Sequence, residues 1–281
     1  MRFKYFCIFA EMRTGSNFLE TALNQLDGVQ CLGEVFNPEF VGYPNRTELL
    51  GLSQTERDRD PRRLLSRLVD GEGAVSGFRF FHDHDHRVAD LVLEDPACGK
   101  ILLSRDPLES YASWKIARET GQWKLTNLKR RRTARIEFDT DEFLERYDEH
   151  GAFRARIWRR LKVTGQTAFL LSFEDLKSLD VLNGLAAWLG VSSRLGKLPG
   201  DLKRQNPESI FEKVSNPQDI ERAIARIGLA RLEQQADLEP PRRAPIRGCV
   251  GAARAPLLFL PIKGGPEPRV ESWLASLDAV A

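Results

Sequence analysis

The 281-residue sequence contains few cysteines and no Cys-x-x-Cys pair. The four are Cys7, Cys31, Cys98 and Cys249. This scatter argues against a disulfide framework and against a cysteine-based zinc site. Cys7 and Cys98 lie in or beside apolar runs, so both are predicted to be buried free thiols.

Long apolar runs are also missing, since none approaches the roughly 18 residues of a membrane span. The apolar run at the N-terminus is short and continues directly into Glu11 and Arg13. It therefore predicts a first strand and not a signal peptide, and we expect a cytoplasmic protein. Neither sign of charge dominates: 42 Lys and Arg against 40 Asp and Glu leave a net charge of +2. Recognition of a charged partner must then depend on local clusters.

One such cluster is the run KLTNLKRRRTAR at residues 124–135, which contains basic residues and no acidic one. A run of this kind suits nucleic-acid phosphates, but it lacks the interleaved aromatic residues of a single-strand binder. We expect no nucleic-acid partner. The run is interpreted as a solvated helix face or, in preference, as a rim that attracts an anionic donor or acceptor.

Apolar, β-prone runs alternate with helical patterns along most of the chain. The strand-like runs are residues 5–10, 29–35, 74–81, 100–104 and 167–173. The helical patterns are residues 16–26, 61–69, 88–93, 107–120, 141–162, 179–189 and 219–235. This alternation predicts an α/β fold with a mainly parallel central sheet flanked by helices on both faces.

The turn after the first strand carries the residues RTGSN, at positions 13–17. A helix that starts there presents backbone N–H groups without helical partners, together with partial positive charge, and this suits a phosphate. Gly15 allows a tight backbone path, and Arg13 supplies a planar cation for oxyanions. The alternative is an ordinary helix start with Ser16 as N-cap and Glu20 in the first turn.

A second candidate anion site follows the fourth strand-like run. Arg105 ends the strand, Pro107 opens the next helix, and Ser113 lies about two helical turns further on. Arg105 and Ser113 can therefore converge on one anion, although each alone is more often an ordinary surface or helix residue. Two anion sites at the carboxyl ends of neighbouring strands suit a ligand with two separated phosphate groups.

Several motifs occur in an order and spacing typical of one family. They are RTGSNFL at 13–19, GEVFNP at 33–38, SRDPLESYASW at 104–114 and SFEDL at 172–176. The sequence resembles the sulfotransferases, and most of all the bacterial carbohydrate sulfotransferases that modify nodulation factors, trehalose glycolipids or lipopolysaccharide. ARETGQW at 117–123 and KRQNP at 203–207 are also similar to that subgroup. The resemblance covers residues 3–225 and implies a three-layer, P-loop-like fold.

On this basis we expect a sulfotransferase domain over residues 1–237 and a Pro/Arg-rich extension over 238–281, packed on the same domain. The resemblance implies 3′-phosphoadenosine 5′-phosphosulfate (PAPS) as donor, 3′-phosphoadenosine 5′-phosphate (PAP) as product, and no metal. The implied donor ligands are Arg13, Thr14, Gly15, Ser16 and Asn17 for the 5′-phosphosulfate, Arg105 and Ser113 for the 3′-phosphate, and Arg204 and Gln205 closing over the nucleotide. The implied reaction is in-line transfer of the sulfuryl group to a hydroxyl of a carbohydrate or glycolipid.

Catalysis then requires a charge near the leaving phosphate oxygen and a base for the acceptor hydroxyl. Arg13 is the candidate for the first task, and the resemblance implies Glu34 for the second, with Glu39 as a nearby alternative. His82 is the second candidate base, because other branches of the superfamily carry a catalytic histidine after the third strand. Arg79 is expected to face the acceptor or the sulfuryl group, and an ion pair of Glu34 with Arg13 or Arg79 is the structural alternative.

Three of the four histidines, His82, His84 and His86, alternate with Asp83 and Asp85. They share one face if the strand continues through them, and a metal site is then conceivable. No cysteine or further ligand accompanies them, and we expect no metal site.

Two other functions remain open at this stage. One is a nucleotide or sugar kinase of related fold, which would depend on magnesium. The other is a non-enzymatic polyanion binder that acts through residues 124–135, with a steep dependence on salt. Peripheral membrane association, which would bring the protein to a lipid-linked acceptor, and a homodimer are both compatible with the sequence.

Overall fold

The computed structural model describes residues 3–69, 74–121, 135–199 and 209–228, together with two short strands nearer the C-terminus. The strands of the first part of the chain are β1 Tyr5–Phe9, β2 Val29–Cys31, β3 Glu48–Leu49, β4 Leu52–Ser53, β5 Val75–Phe80, β6 Cys98–Ser104 and β7 Ala168–Ser172. Five of them form one parallel sheet in the order β2-β5-β1-β6-β7, and β3 pairs with β4 in a separate antiparallel hairpin.

Helices connect the strands. They are α1 Ser16–Leu23, α2 Gln54–Arg59, α3 Pro61–Val69, α4 His86–Glu94, α5 Pro107–Thr120, α6 Thr140–Thr164, α7 Leu179–Leu189, α8 Ile210–Lys213 and α9 Pro217–Ile227. Among these helices, none is long and apolar enough to cross a lipid bilayer.

Alternate residues of β1 face two different cores, as the period of a strand requires. Cys7 and Phe9 pack in a cluster with residues of α3, α4 and α6. Phe6 and Ile8 pack in a second cluster with residues of α1 and α7. The sheet is thus covered on both faces, which confirms the predicted three-layer α/β fold. A third cluster joins α5, α6 and α9 around Tyr111.

The strand order places β1 at the switch point of the sheet. The chain runs from β1 outward to β2, returns to β5 beside β1, and then crosses to β6 on the other side. In open parallel sheets, ligands bind at the carboxyl ends of the strands where this reversal occurs. The turn at residues 10–15 and the segment after Ser104 both lie at that edge.

All five predicted strands are present, and all seven helical patterns correspond to helices. The last pattern is described only to Ile227. No clear signal in the sequence predicted the β3–β4 hairpin, α2 or the four-residue α8. These short elements carry too few residues for a periodic pattern to show.

The chain divides into two compact units, Met1–Leu238 and Glu239–Ala281. In the second unit the described part is an antiparallel pair, β8 Val250–Gly251 and β9 Pro256–Leu257. The predicted division at residue 237, and the packing of the extension on the domain, stay predictions. Residues 124–134 of the basic run, with Arg204 and Gln205, lie outside the described residues.

Candidate functional site

The loop between β1 and α1 presents backbone donors at the switch point. Gly15 precedes the helix with a φ of 94°, and a Cβ atom there would lie 2.7 Å from Leu176 Cδ1, so only glycine fits without strain. The helix starts at Ser16 without a side-chain cap, so the alternative of Ser16 as N-cap is wrong. The N–H groups of Gly15, Ser16 and Asn17 find no acceptor in the described part of the chain. They are available to an anion.

Arg13 is held in this loop in an unusual backbone conformation. Its φ is 69°, a left-handed value that costs energy for a residue with a Cβ atom. Arg105 stabilises the conformation by donating from Nη1 to the carbonyl oxygen of Arg13 at 2.8 Å. The Arg13 side chain in turn donates from Nε to Ser113 Oγ on α5 at 3.0 Å. The two predicted anion motifs therefore meet.

The two arginines are close enough to disfavour each other's charge. Burial and the positive charge of Arg105 lower the pKa of Arg13 to about 10, so Arg13 is still protonated at neutral pH. A bound anion between the two motifs would relieve this repulsion. Glu109 lies 3.3 Å from Arg105 Nη2 and also binds Lys213 Nζ at 2.9 Å. Phe173 packs 4.3 Å beneath the Arg105 guanidinium.

Glu34, the first candidate base, lies in a buried charge network beside this loop. Arg79 contacts it from Nη1 at 3.1 Å and contacts Glu20 from Nε at 2.6 Å. Asn37 donates a hydrogen bond to the second Glu34 oxygen at 2.7 Å. Burial opposes ionisation, but His84, Arg79 and Asn37 together lower the pKa of Glu34. The sequence analysis allowed Arg13 or Arg79 as the ion-pair partner of Glu34, and the observed partner is Arg79.

The segment that carries Glu34 is fixed by a buried arginine. Arg57 of α2 donates from Nη1 to three carbonyl oxygens, each at 2.8 or 2.9 Å. The acceptors are Val35, Asn37 and Phe40. Glu34 also exchanges two backbone hydrogen bonds with Gly42. Glu39, the alternative base, is exposed on this segment, whereas Glu34 is held at its inner side.

His82, the second candidate base, contacts the carboxylate of Glu11, which no sequence motif indicated as functional. Its Nδ1 lies 2.6 Å from Glu11 Oε2, at the end of β1. Burial opposes charging of His82, but the hydrogen bond and charge of Glu11 raise the pKa of His82. Burial also raises the pKa of Glu11. His150 of α6 completes the group, with Nε2 3.4 Å from Glu11 Oε2.

The condition under which the three neighbouring histidines would share one face is not met. β5 ends at Phe80, so the chain turns before the alternating pattern can place them on one face. His84 is fully buried against Phe80 and Phe81, and His86 is exposed at the start of α4. His82 alone of the three belongs to the cluster with Glu11.

A cleft of about 510 Å³ opens beside the loop between β1 and α1. Its lining combines aromatic rings, arginines and the acid-histidine group: Glu11, Met12, Thr14, Arg105, Pro107, Ser110, Tyr111, Trp114, Phe143, Arg146, Tyr147, His150 and Arg154. Sequence patterns could not locate it, because five of its thirteen lining residues come from α6, where Arg146, His150 and Arg154 lie one helical turn apart.

Comparison with known proteins finds similarities over most of the chain. No family model matches the chain. The chain is 23% identical to nodulation protein H of Rhizobium tropici over 246 residues, which covers 84% of this chain and 96% of that protein. It is also similar to the crystal structure of a sulfotransferase from Alicyclobacillus acidocaldarius, with 19% identity, a TM-score of 0.43, and coverage of 81% of this chain and 98% of that chain.

The similarity to nodulation protein H extends over nearly the whole of that relative. In agreement with the resemblance of the motifs, it supports an assignment of the chain to the sulfotransferase superfamily, at low sequence identity.

Proposed function

We propose that this protein transfers a sulfuryl group from PAPS to a hydroxyl of a carbohydrate or glycolipid. The observation that carries the proposal is the contact of Arg13 with Ser113, which unites two anion-binding motifs distant in sequence. The relative's description as a nodulation protein supports a carbohydrate-type acceptor.

The donor would lie across the carboxyl ends of β1 and β6. The N–H groups of Gly15, Ser16 and Asn17 would bind the 5′-phosphosulfate. The Thr14 hydroxyl donates to the carbonyl oxygen of Glu11 at 2.7 Å in this structure and would have to turn toward the donor to join them. Arg105 and Ser113 would bind the 3′-phosphate. Arg204 and Gln205 stay proposed ligands of the nucleotide on the resemblance alone.

Arg13 would act on the leaving group. Charge builds up on the phosphate oxygen as the sulfuryl group departs, and a cation already fixed at this position stabilises it without reorganisation. The hydrogen bond to Ser113 and the restrained backbone of Arg13 supply that fixed position.

Glu34 is the proposed base, with His82 as the alternative. The family resemblance and the position beside the loop favour Glu34 as the base. Its lowered pKa, however, makes it a weak base in the free protein. For His82, the pairing with Glu11 favours proton acceptance, because a carboxylate stabilises the imidazolium that forms. Arg79 would hold Glu34 in place through their ion pair and so act on the acceptor only through Glu34.

The cleft beside the loop is the proposed acceptor site. Tyr111, Trp114 and Tyr147 supply aromatic faces, and Arg146 stacks on Trp114 at 4.1 Å. Such a wall combines apolar area with hydrogen-bond donors, which suits a sugar ring and its hydroxyl groups.

Calorimetry tests the donor without knowledge of the acceptor. With magnesium removed by a chelator, PAP should bind to the full-length protein with one-to-one stoichiometry and more tightly than AMP. Binding of ATP only in the presence of magnesium, with no binding of PAP, would reject the proposal in favour of a kinase.

A further inference from the structure

Three electron-pair donors converge in the wall of the cleft, from parts of the chain that are far apart in sequence. They are Glu11 after β1, His82 after β5 and His150 in the middle of α6. We propose that these three side chains bind a divalent transition metal ion, with Zn²⁺ as the best match to two imidazoles and one carboxylate.

The distances fit such an ion. At metal–ligand distances of about 2.05 Å, tetrahedral donors lie about 3.3 Å apart. Here Glu11 Oε2 is 2.6 Å from His82 Nδ1 and 3.4 Å from His150 Nε2, and all three ligand atoms lie within 4.8 Å of one another. Small side-chain adjustments would bring them to one centre.

Two buried polar atoms of this group make no hydrogen bond within the described residues. Oε1 of Glu11 and Nε2 of His150 are buried and make no hydrogen bond in the part of the chain that is described. Buried polar atoms are nearly always satisfied, so this pair indicates a missing ligand. Glu11 and His150 also line the cleft, which gives an ion access from solvent.

The charged residues around the three ligands have opposite effects on the binding of a cation. Arg146 and Arg154 lie one turn on either side of His150 and weaken the binding of a cation. Asp83 and Glu149 offset them, and Glu149 lies 3.8 Å from His82 Nε2. Arg146 is in addition stacked on Trp114, at 4.1 Å from the ring centroid.

A bound ion would join three elements of the cleft wall and occupy the imidazole of His82. While the ion is bound, His82 could not accept a proton from the acceptor hydroxyl. This metal site goes beyond the proposed function and does not depend on it, because it is tested by metal binding and not by sulfuryl transfer.

The test uses full-length protein freed of metal with a chelator and then titrated with ZnCl₂ by calorimetry. The expected result is one equivalent of Zn²⁺, with a rise in melting temperature on binding. Co²⁺ in place of Zn²⁺ should give d–d absorption without a thiolate charge-transfer band, since the predicted ligands are nitrogen and oxygen. Absence of stoichiometric binding, or a thiolate band, would overturn the proposal.

Matched variants locate the site. His150→Gln and His82→Gln should each weaken Zn²⁺ binding by about 10-fold to 100-fold or more, the range for loss of a group that supports a metal centre. His86→Gln, an exposed histidine four residues from His82, should leave affinity unchanged. Equal weakening by His86→Gln and His150→Gln would show adventitious binding to the histidine-rich turn and reject the site. Melting curves of the metal-free variants establish that each one folds.

Discussion

Arg13 donates a hydrogen bond from Nε to Oγ of Ser113, although 100 residues separate them in the chain. The contact joins the loop after β1 to the helix after β6, across the carboxyl edge of the sheet. It places a guanidinium and a hydroxyl where a ligand with two phosphate groups would need both. The proposed binding of the donor depends on this contact between Arg13 and Ser113.

Arg105→Ala should weaken PAP binding by about 1.5–3 kcal/mol, the scale of a hydrogen bond to a charged group. AMP lacks the 3′-phosphate, so its affinity should change little. Calorimetry with both ligands checks this. Arg63→Ala, an exposed arginine on α3, is the matched control and should alter neither affinity. Equal losses for PAP and AMP would argue against a 3′-phosphate site at Arg105.

Substitutions of Arg13 separate catalysis from donor binding. Arg13→Ala should lower turnover far more than donor affinity, because the backbone N–H groups after Arg13 still bind the phosphate. Arg13→Lys keeps a point charge but loses the planar fork, and should retain part of the activity. Steady-state kinetics beside donor titrations provide the comparison. If Arg13→Ala reduces binding and turnover equally, Arg13 is a ground-state ligand and has no catalytic role.

Glu34→Gln keeps the shape of the side chain and removes the proton acceptor. If Glu34 is the base, turnover should fall by about 100-fold or more while PAP affinity holds. Glu39→Gln is the matched control on the same segment and should remain active. An active Glu34→Gln enzyme together with an inactive His82→Ala enzyme would transfer the role to His82.

The pH dependence of turnover distinguishes the two bases independently. A base works only when deprotonated, so the rate is lost as pH falls through its pKa. Because the pKa of Glu34 is lowered, a Glu34 mechanism should keep its rate down to pH values below the ordinary range of a glutamate. Because the pKa of His82 is raised, a His82 mechanism should lose rate already at pH values above the ordinary pKa of a histidine.

Arg57→Leu should destabilise the fold through the segment that carries Glu34. Three carbonyl groups, one in a buried and two in part-buried hydrogen bonds, lose their donor, and the free energy of unfolding should fall by about 3 kcal/mol. Urea denaturation measures the change. Arg59→Leu, on the exposed side of the same helix, should have a small effect. Similar stabilities for the two variants would show that the three hydrogen bonds contribute little.

The sequence predicted the sheet and the turn after β1 well because both have local causes. Alternating apolar runs identify buried parallel strands, and the loop after β1 needs glycine at Gly15 for a φ of 94°. Arg105 and Ser113 could be placed at the same edge of the sheet because a strand end and the following helix have a fixed geometry. Their binding of an anion stays a prediction.

Contacts between distant segments could not be predicted in the same way. The ion pair of Arg79 with both Glu20 and Glu34 depends on three elements that meet only in the folded chain. The group formed by Glu11, His82 and His150 likewise draws on three elements. Alternate spacing suggested His84 and His86 as companions of His82, but the strand ends at Phe80.

Transfer of the labelled group itself is the most direct test of the account. The full-length protein is incubated with ³⁵S-labelled PAPS and a panel of glycans and glycolipids, with magnesium chelated, beside the Arg13→Ala variant. The account predicts label on at least one carbohydrate acceptor and the release of PAP in equal amount, with a large loss for the variant. Label that stays on PAPS throughout the panel while PAP binds tightly, or transfer that Arg13→Ala leaves intact, would contradict it.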